Sequence, residues 1–295
     1  MSKVFPICYE TFGNPHHPCI ILITGIGGQL IDWPPLVTQG LADKGFYVVT
    51  FDNRDSGLSH HYDELGVPNL EEAIALKQRG EPFQPPYTLE DMASDVIVLM
   101  DELQIEKAHV GGGSMGGIIA QYVALNFPDR VLSLICIFST SGDPQLPPAK
   151  KEVMDFFASS FTETNKSIET LVNNKLKLFR LYNHPDYFDE EKVRQQTMIA
   201  TQRNYDAIGF KRTLLALICA EPRTERLRHL QPPSLIIHGD YDPVFPLEHG
   251  KQLAACLPNS HLEIIEKMGH GIPDYFCTIV VDLIAKYLKQ RKSYD

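Results

Sequence analysis

The sequence contains no run of 18 or more consecutive apolar residues, so a membrane-spanning helix is not expected. Its 6 cysteines, at positions 8, 19, 136, 219, 256 and 277, form no CxxC pair. Most of them sit in apolar runs such as LICIF and LLALICA. That pattern argues for buried, reduced thiols and a reducing, cytoplasmic compartment, and against a disulfide framework. There is no long basic run and the formal net charge is −10, which makes nucleic acid and anionic membrane surfaces poor partners. The opening residues MSKVFPICYETFG show no apolar segment after Lys3, so no secretory signal is expected. The 11 histidines include no HExxH or similar spacing; His60-His61 have no evident metal-binding partners, and no metal or organic cofactor is expected. Internal repeats and low-complexity segments are missing too, and nothing bears on oligomeric state.

What is present is an ordered alternation in a chain of 295 residues, 43% hydrophobic and 22% charged. CIILIT (19–24) and FYVVTFD (46–52) read as strands, with PPLVTQGLADKG between them as a helix ending at Gly45. Thr88 and Asp91 have the spacing of a capping box, and Leu89, Met92, Val96, Leu99, Met100 and Leu103 continue as one helical stripe. KAHVGG, MGGIIAQYVALNFP and VLSLICIFS follow as strand, helix and strand. Strand signals then stop until SLIIHG (234–239) and HLEIIE (261–266), and TIVVDLIAKYLKQ closes the chain as a helix. Between them, Ile168, Leu171, Val172, Leu176 and Phe179 mark one amphipathic helix. The expectation is an α/β fold with a mostly parallel central sheet flanked by helices. Residues 1–142 and 231–295 would form its core, and 143–230 an inserted helical cap.

The stretch HVGGGSMGG, residues 109–117, crowds five glycines around Ser114. Glycine loses the most backbone freedom on folding, so such a cluster points to a backbone that requires it. Gly112, Ser114 and Gly116 match G-x-S-x-G, a strand-to-helix turn that exposes a serine hydroxyl. Gly111, Gly113 and Gly116 also match G-x-G-x-x-G, the dinucleotide fingerprint. That second reading needs a carboxylate at the end of the next strand, where Phe138-Ser139-Thr140 stands instead. A second candidate, TGIGGQL, lacks its third glycine at Leu30 and runs into Pro34-Pro35. For the serine reading the chain supplies partners in the order Ser, acid, His. HGDYDPVFP offers Asp240 and Asp242, and MGHGIP offers His270, each just beyond a strand. Proline disfavours the helical region for the residue before it, so Asp242, preceding Pro243, should be extended and project from its loop, with Asp240 left solvated. Among rival histidines, His238 would hold its loop, His249 and His261 would lie at the surface, and His109 would pack at the start of its strand.

The chain resembles the α/β-hydrolase superfamily over nearly its whole length. Within it, the resemblance is to aclacinomycin methylesterase-like and 3-oxoadipate enol-lactonase-like esterases. It is carried by LITGIGGQLIDWPP, GFYVVTFDNRDSGLS, YTLEDMASDVIVLMDELQIEKAHVGGGSMGGIIAQ, NFPDRVLSLICIFSTSGDP, PPSLIIHGDYDPVFP and MGHGIP. The resemblance implies a Ser114–Asp242–His270 triad and an oxyanion hole from the main-chain N–H groups of Ile26 and Met115. One departure is that Thr24-Gly25 stands where the family often has His-Gly.

The function expected is hydrolysis of a carboxylic ester of a small or medium organic substrate through an acyl-enzyme. Lactone opening, C–C cleavage, acyl transfer or perhydrolysis could use the same triad, and a non-catalytic binding protein is the reading from another class. Serine at the elbow argues against the dehalogenase and epoxide-hydrolase members, which resemble this fold but use a carboxylate there. Trp33 is one candidate substrate contact; Phe156, Phe157 and Phe179 are the others, within an insertion also rich in Phe161, Leu178 and Tyr182.

Overall fold

An aliphatic run buried on both faces belongs inside a sheet covered by helices on each side. A computed structural model, describing residues 6–160 and 167–291, has that arrangement. Among the described residues, seven strands form one sheet: β1 Tyr9–Phe12, β2 Cys19–Ile23, β3 Tyr47–Phe51, β4 Ala108–Gly113, β5 Val131–Ile137, β6 Ser234–Gly239 and β7 Ser260–Ile265. Their spatial order is β1-β3-β2-β4-β5-β6-β7. All neighbours are parallel except β1 and β3. Strands β2, β4 and β6 are buried along their whole length. β1 was not expected from the sequence, because YETF is short and mostly exposed, so it lacks the apolar periodicity that marks a strand.

The helices are α1 Pro35–Asp43, α2 Leu70–Gln78, α3 Leu89–Glu102, α4 Met115–Asn126, α5 Lys151–Ser160, α6 Ile168–Tyr182, α7 Glu190–Arg203, α8 Ala207–Ile218, α9 Thr224–Leu227, α10 Leu247–Cys256 and α11 Asp274–Arg291. The capping box expected at α3 is formed, with Thr88 accepting from the Asp91 N–H and Asp91 accepting from the Thr88 N–H. On one face of the sheet, Met92, Val96 and Leu99 of α3 pack with Ile119 and Val123 of α4. On the other, Val37 and Leu41 of α1 pack with Phe276, Val280 and Ile284 of α11.

Helices α5–α9 lie in the chain between β5 and β6, and α2 lies between β3 and β4. No strand occurs between β5 and β6 among the described residues. α8 is fixed to the sheet side by Arg212, whose guanidinium is fully buried and bidentate on Asp55 at 2.8 Å for each bond. Removing one partner of a buried pair leaves an uncompensated charge, so this contact fixes where α8 sits. Phe161, one of the aromatics noted in the sequence, lies outside the described residues.

Candidate active site

Ser114 occupies the turn from β4 into α4 with φ 55° and ψ −122°. A non-glycine residue at positive φ is uncommon and must be held there by its surroundings. Its N–H donates to the Ile137 carbonyl at 3.0 Å, and its carbonyl accepts from the Ser139 hydroxyl at 2.8 Å. The glycines around it answer to close approach. A methyl at Gly116 would stand 2.1 Å from the Ile23 carbonyl oxygen, and one at Gly112 would stand 2.4 Å from the Gly116 carbonyl carbon. The start of α4 and the ends of β2 and β4 therefore share a space that no side chain can enter.

His270 follows β7, and its imidazole Nε2 lies 2.9 Å from Ser114 Oγ. Its Nδ1 lies 2.8 Å from Asp242 Oδ2. Asp242 is buried in the loop after β6, and its Oδ1 accepts the N–H groups of Val244 and Phe245 at 2.8 and 2.9 Å. With Oδ1 so occupied, Oδ2 is the oxygen that faces the imidazole. A carboxylate there assigns the proton to Nδ1 and leaves Nε2 to accept from the serine hydroxyl. The rings of Phe138, Tyr182 and Phe245 surround the imidazole at centroid distances of 5.0, 5.2 and 5.4 Å. Burial, helped by the Asp242 charge, pushes the Tyr182 phenol well above its usual range, so it stays neutral there.

The turn after β2 passes beside the serine. A methyl at Gly25 would lie 3.3 Å from Ser114 Cβ. The next N–H, that of Ile26, has no acceptor among the described residues, nor has that of Met115. Met115 is the first residue of α4, where an N–H has no partner within the helix. Thr24, in place of the histidine that the resemblance suggests, fastens this turn: its hydroxyl receives the Asn53 amide at 3.1 Å and donates to the Gly28 carbonyl at 3.4 Å. Ser114, His270 and Ile26 open onto a cavity of about 490 Å³, and Trp33, Phe156, Phe157 and Phe179 also line it.

A family model described as the alpha/beta hydrolase fold matches residues 18–275. The chain belongs to that family. It is similar to a rhodomycin D methylesterase from Streptomyces sp. (strain C5), 27% identical over 90% of this chain and 88% of the relative. It is similar to the 3-oxoadipate enol-lactonase 2 of Acinetobacter baylyi, 25% identical over 88% of this chain and 84% of that one. Among solved structures, the enol-lactonase of Burkholderia xenovorans LB400 superposes with a TM-score of 0.70 at 21% identity, covering 98% of this chain and 96% of that one.

Several other histidines of this α/β hydrolase have structural partners. His238 Nε2 donates to the Phe245 carbonyl at 2.7 Å, and burial pulls its pKa below the usual value, so it braces the Asp242 loop as a neutral ring. His249, read as a surface residue in the sequence, is buried instead: its ring nitrogens meet Thr140 Oγ1 and the Pro147 carbonyl at 2.8 Å each. The surface reading failed because α10 turns that face inward, against the loop after β5. His261 is on an exposed strand end beside Glu263, and His109 is 2.8 Å from Ser133 Oγ. His61 does have acidic neighbours that the sequence did not reveal: its ring and the carboxylates of Asp55 and Asp206 offer atoms within 4.8 Å of one another. Arg212 already reaches both carboxylates, at 2.8 and 3.7 Å, and supplies the positive charge of that cluster. Asp240 is exposed as expected, and in addition its Oδ1 accepts the Lys267 N–H at 2.6 Å. Among the described residues, no helix is long and apolar enough to cross a membrane.

Proposed function

We propose that this α/β hydrolase cleaves a carboxylic ester of a small or medium organic substrate, with Ser114 as nucleophile, His270 as base and Asp242 as the orienting acid. The single observation that carries the reading is the chain of contacts from Ser114 Oγ to His270 Nε2 at 2.9 Å and from His270 Nδ1 to Asp242 Oδ2 at 2.8 Å, opening onto an aromatic cavity. In this reading His270 takes the serine proton as Oγ attacks the ester carbonyl. The oxyanion is received by the N–H groups of Ile26 and Met115, each such donor being worth about 2.7–4 kcal/mol of transition-state stabilisation. His270 then returns its proton to the departing alcohol, and water, activated by the same ring, cleaves the acyl-enzyme. Asp242 holds the imidazole in the Nδ1–H tautomer and stabilises its charged form. Residues 143–230 act as a cap whose aromatic side chains, with Trp33, receive the substrate.

A lactone is an internal ester and would be opened by the same steps. The likeness to an enol-lactonase supports keeping it within the substrate class.

The test combines a fluorophosphonate probe with a chromogenic short-chain ester. The native protein should be labelled at Ser114 and should hydrolyse the ester, whereas Ser114→Ala should do neither. Loss of a triad serine or histidine costs on the order of 10⁶ in kcat, so a mild effect in Ser114→Ala or His270→Ala would overturn the reading.

A further inference from the structure

The turn that presents the Ile26 N–H is held from two sides. On the core side, Ser56 Oγ donates to the Gly28 carbonyl at 2.7 Å, and Asp52 Oδ1 accepts the Leu30 N–H at 2.7 Å. On the other side it is tied to the C-terminal end of α7. Gln29 Nε2 donates to the carbonyls of Ala200 and Asn204, both at 2.7 Å. Gln29 Oε1 accepts from Arg203 Nη1 at 2.7 Å, and the same nitrogen donates to Asp52 Oδ2 at 2.7 Å. Gln29 is 6% exposed and Asp52 is fully buried, so these bonds lie largely out of bulk water, where a low local dielectric strengthens them.

The Ala200 carbonyl, in the last turn of α7, thus accepts both the Asn204 N–H at 3.1 Å and the Gln29 amide, and the Asn204 carbonyl, just beyond the helix, takes the second Gln29 bond. Ala200 and Asn204 also line the cavity, as do Val193 and Thr197 of the same helix. The turn itself is tight, with the Gly28 N–H bonded to the Gly25 carbonyl at 3.1 Å, so Gln29 and the Ile26 amide move as one unit.

We propose that Gln29 and Arg203 are positioning residues for the oxyanion. Through them α7, a wall of the substrate cavity, sets the place of the Ile26 N–H. The inference rests on that amide receiving the oxyanion in the serine mechanism. Neither residue touches the reacting atoms; their effect is on the aim of one donor. Complete loss of an oxyanion donor costs about 10²–10³ in kcat, so displacement of one should cost about 10–100-fold.

Gln29→Leu and Arg203→Met are compared with the native protein on a p-nitrophenyl ester and on two inhibitors of matched shape. One is a trifluoromethyl ketone: Ser114 Oγ bonds to its carbonyl carbon, the serine proton passes to His270, and the carbonyl electron pair becomes an oxyanion. The other is the corresponding alcohol, which develops no oxyanion. In both variants kcat should fall about 10–100-fold with KM changed by less than about threefold. Ketone affinity should weaken in step with kcat while alcohol affinity holds, and Arg203→Lys should recover part of the loss. The proposal is overturned if kcat stays within about threefold, if ketone affinity is unchanged, or if the loss appears in KM and in alcohol affinity alike. Should either variant fail to fold, Gln29→Glu and Arg203→Gln are read by the same criteria. Ester hydrolysis retained by Ser114→Ala would instead overturn the serine mechanism itself, an outcome that no Gln29 or Arg203 measurement can imitate.

Discussion

The main-chain N–H of His270 donates to the carbonyl of Tyr182 at 2.9 Å, so the last turn of α6 carries the loop on which the imidazole stands. Gly269 makes that approach feasible, because a methyl there would lie 1.8 Å from the Tyr182 carbonyl oxygen. Gly269→Ala should therefore push the histidine loop away from α6. We expect kcat on a short-chain ester to fall at least about 10-fold, with a stability loss of about 1–3 kcal/mol from overpacking. Native activity in a folded Gly269→Ala protein, judged by its Tm and turnover together, would mean that α6 does not place His270.

The loop after β6 offers a matched pair of aspartates. Asp242 uses both oxygens inside the protein, whereas Asp240 is exposed and makes one bond to the Lys267 N–H. Asp242→Asn should lower kcat by roughly 10⁴, since the histidine would be held in the wrong tautomer. Asp240→Asn should stay within a few-fold, as an amide oxygen can still accept from Lys267. The opposite ranking in steady-state assays would remove Asp242 from the role of orienting acid.

The strands that pack on both faces announced themselves through aliphatic runs, and the elbow through its glycines. That Asp242 and His270 meet near Ser114 was legible because each follows a strand closely, so sequence order translates into position on one edge of the sheet. β1 was not legible, since an exposed edge strand has no periodic burial to leave a mark. Nor was the inward face of His249, which depends on a packing partner more than a hundred residues away in the chain. The Gln29–Arg203 bond joins residues 174 positions apart, and a polar pair of that kind has no local signature at all.

Phe156 and Phe157 on α5 and Phe179 on α6 line the cavity from the helical segment between β5 and β6. Truncating all three to alanine should enlarge the cavity and shift the preferred acyl chain towards longer esters. A chain-length series of p-nitrophenyl esters reads this directly. An unchanged profile would assign these rings to packing within the helical segment and not to the substrate.

His61 ties that helical segment to the loop after β3. Its Nδ1 is 2.7 Å from Asp206 Oδ2 and its Nε2 is 3.0 Å from the Gly57 carbonyl. Burial alone would lower its pKa, but the Gly57 carbonyl and the Asp206 carboxylate outweigh it, and the net direction is upward from 6.5. A raised folded value means that folding favours the protonated ring. The stabilisation is complete below about pH 6.5 and is lost as pH climbs through the raised value. The native Tm should therefore decline as pH rises above about 6.5 more steeply than that of His61→Asn. Parallel melting profiles across that range would show that the ring does not titrate in the folded protein.

β5 and β6 lie side by side, paired from Leu134 with Ser234 to Ile137 with Ile237. At the usual pace of protein synthesis, the intervening stretch takes about 5–20 s to emerge from the ribosome. For that interval the free edge of β5 is an apolar template open to any neighbouring chain. The turn at Ser114 can form well before β6 and β7 arrive, but its contacts with His270 and, through it, Asp242 cannot. Under the proposed mechanism newly made chains are thus catalytically silent as well as prone to strand pairing, and one event, the docking of β6 and β7, ends both conditions.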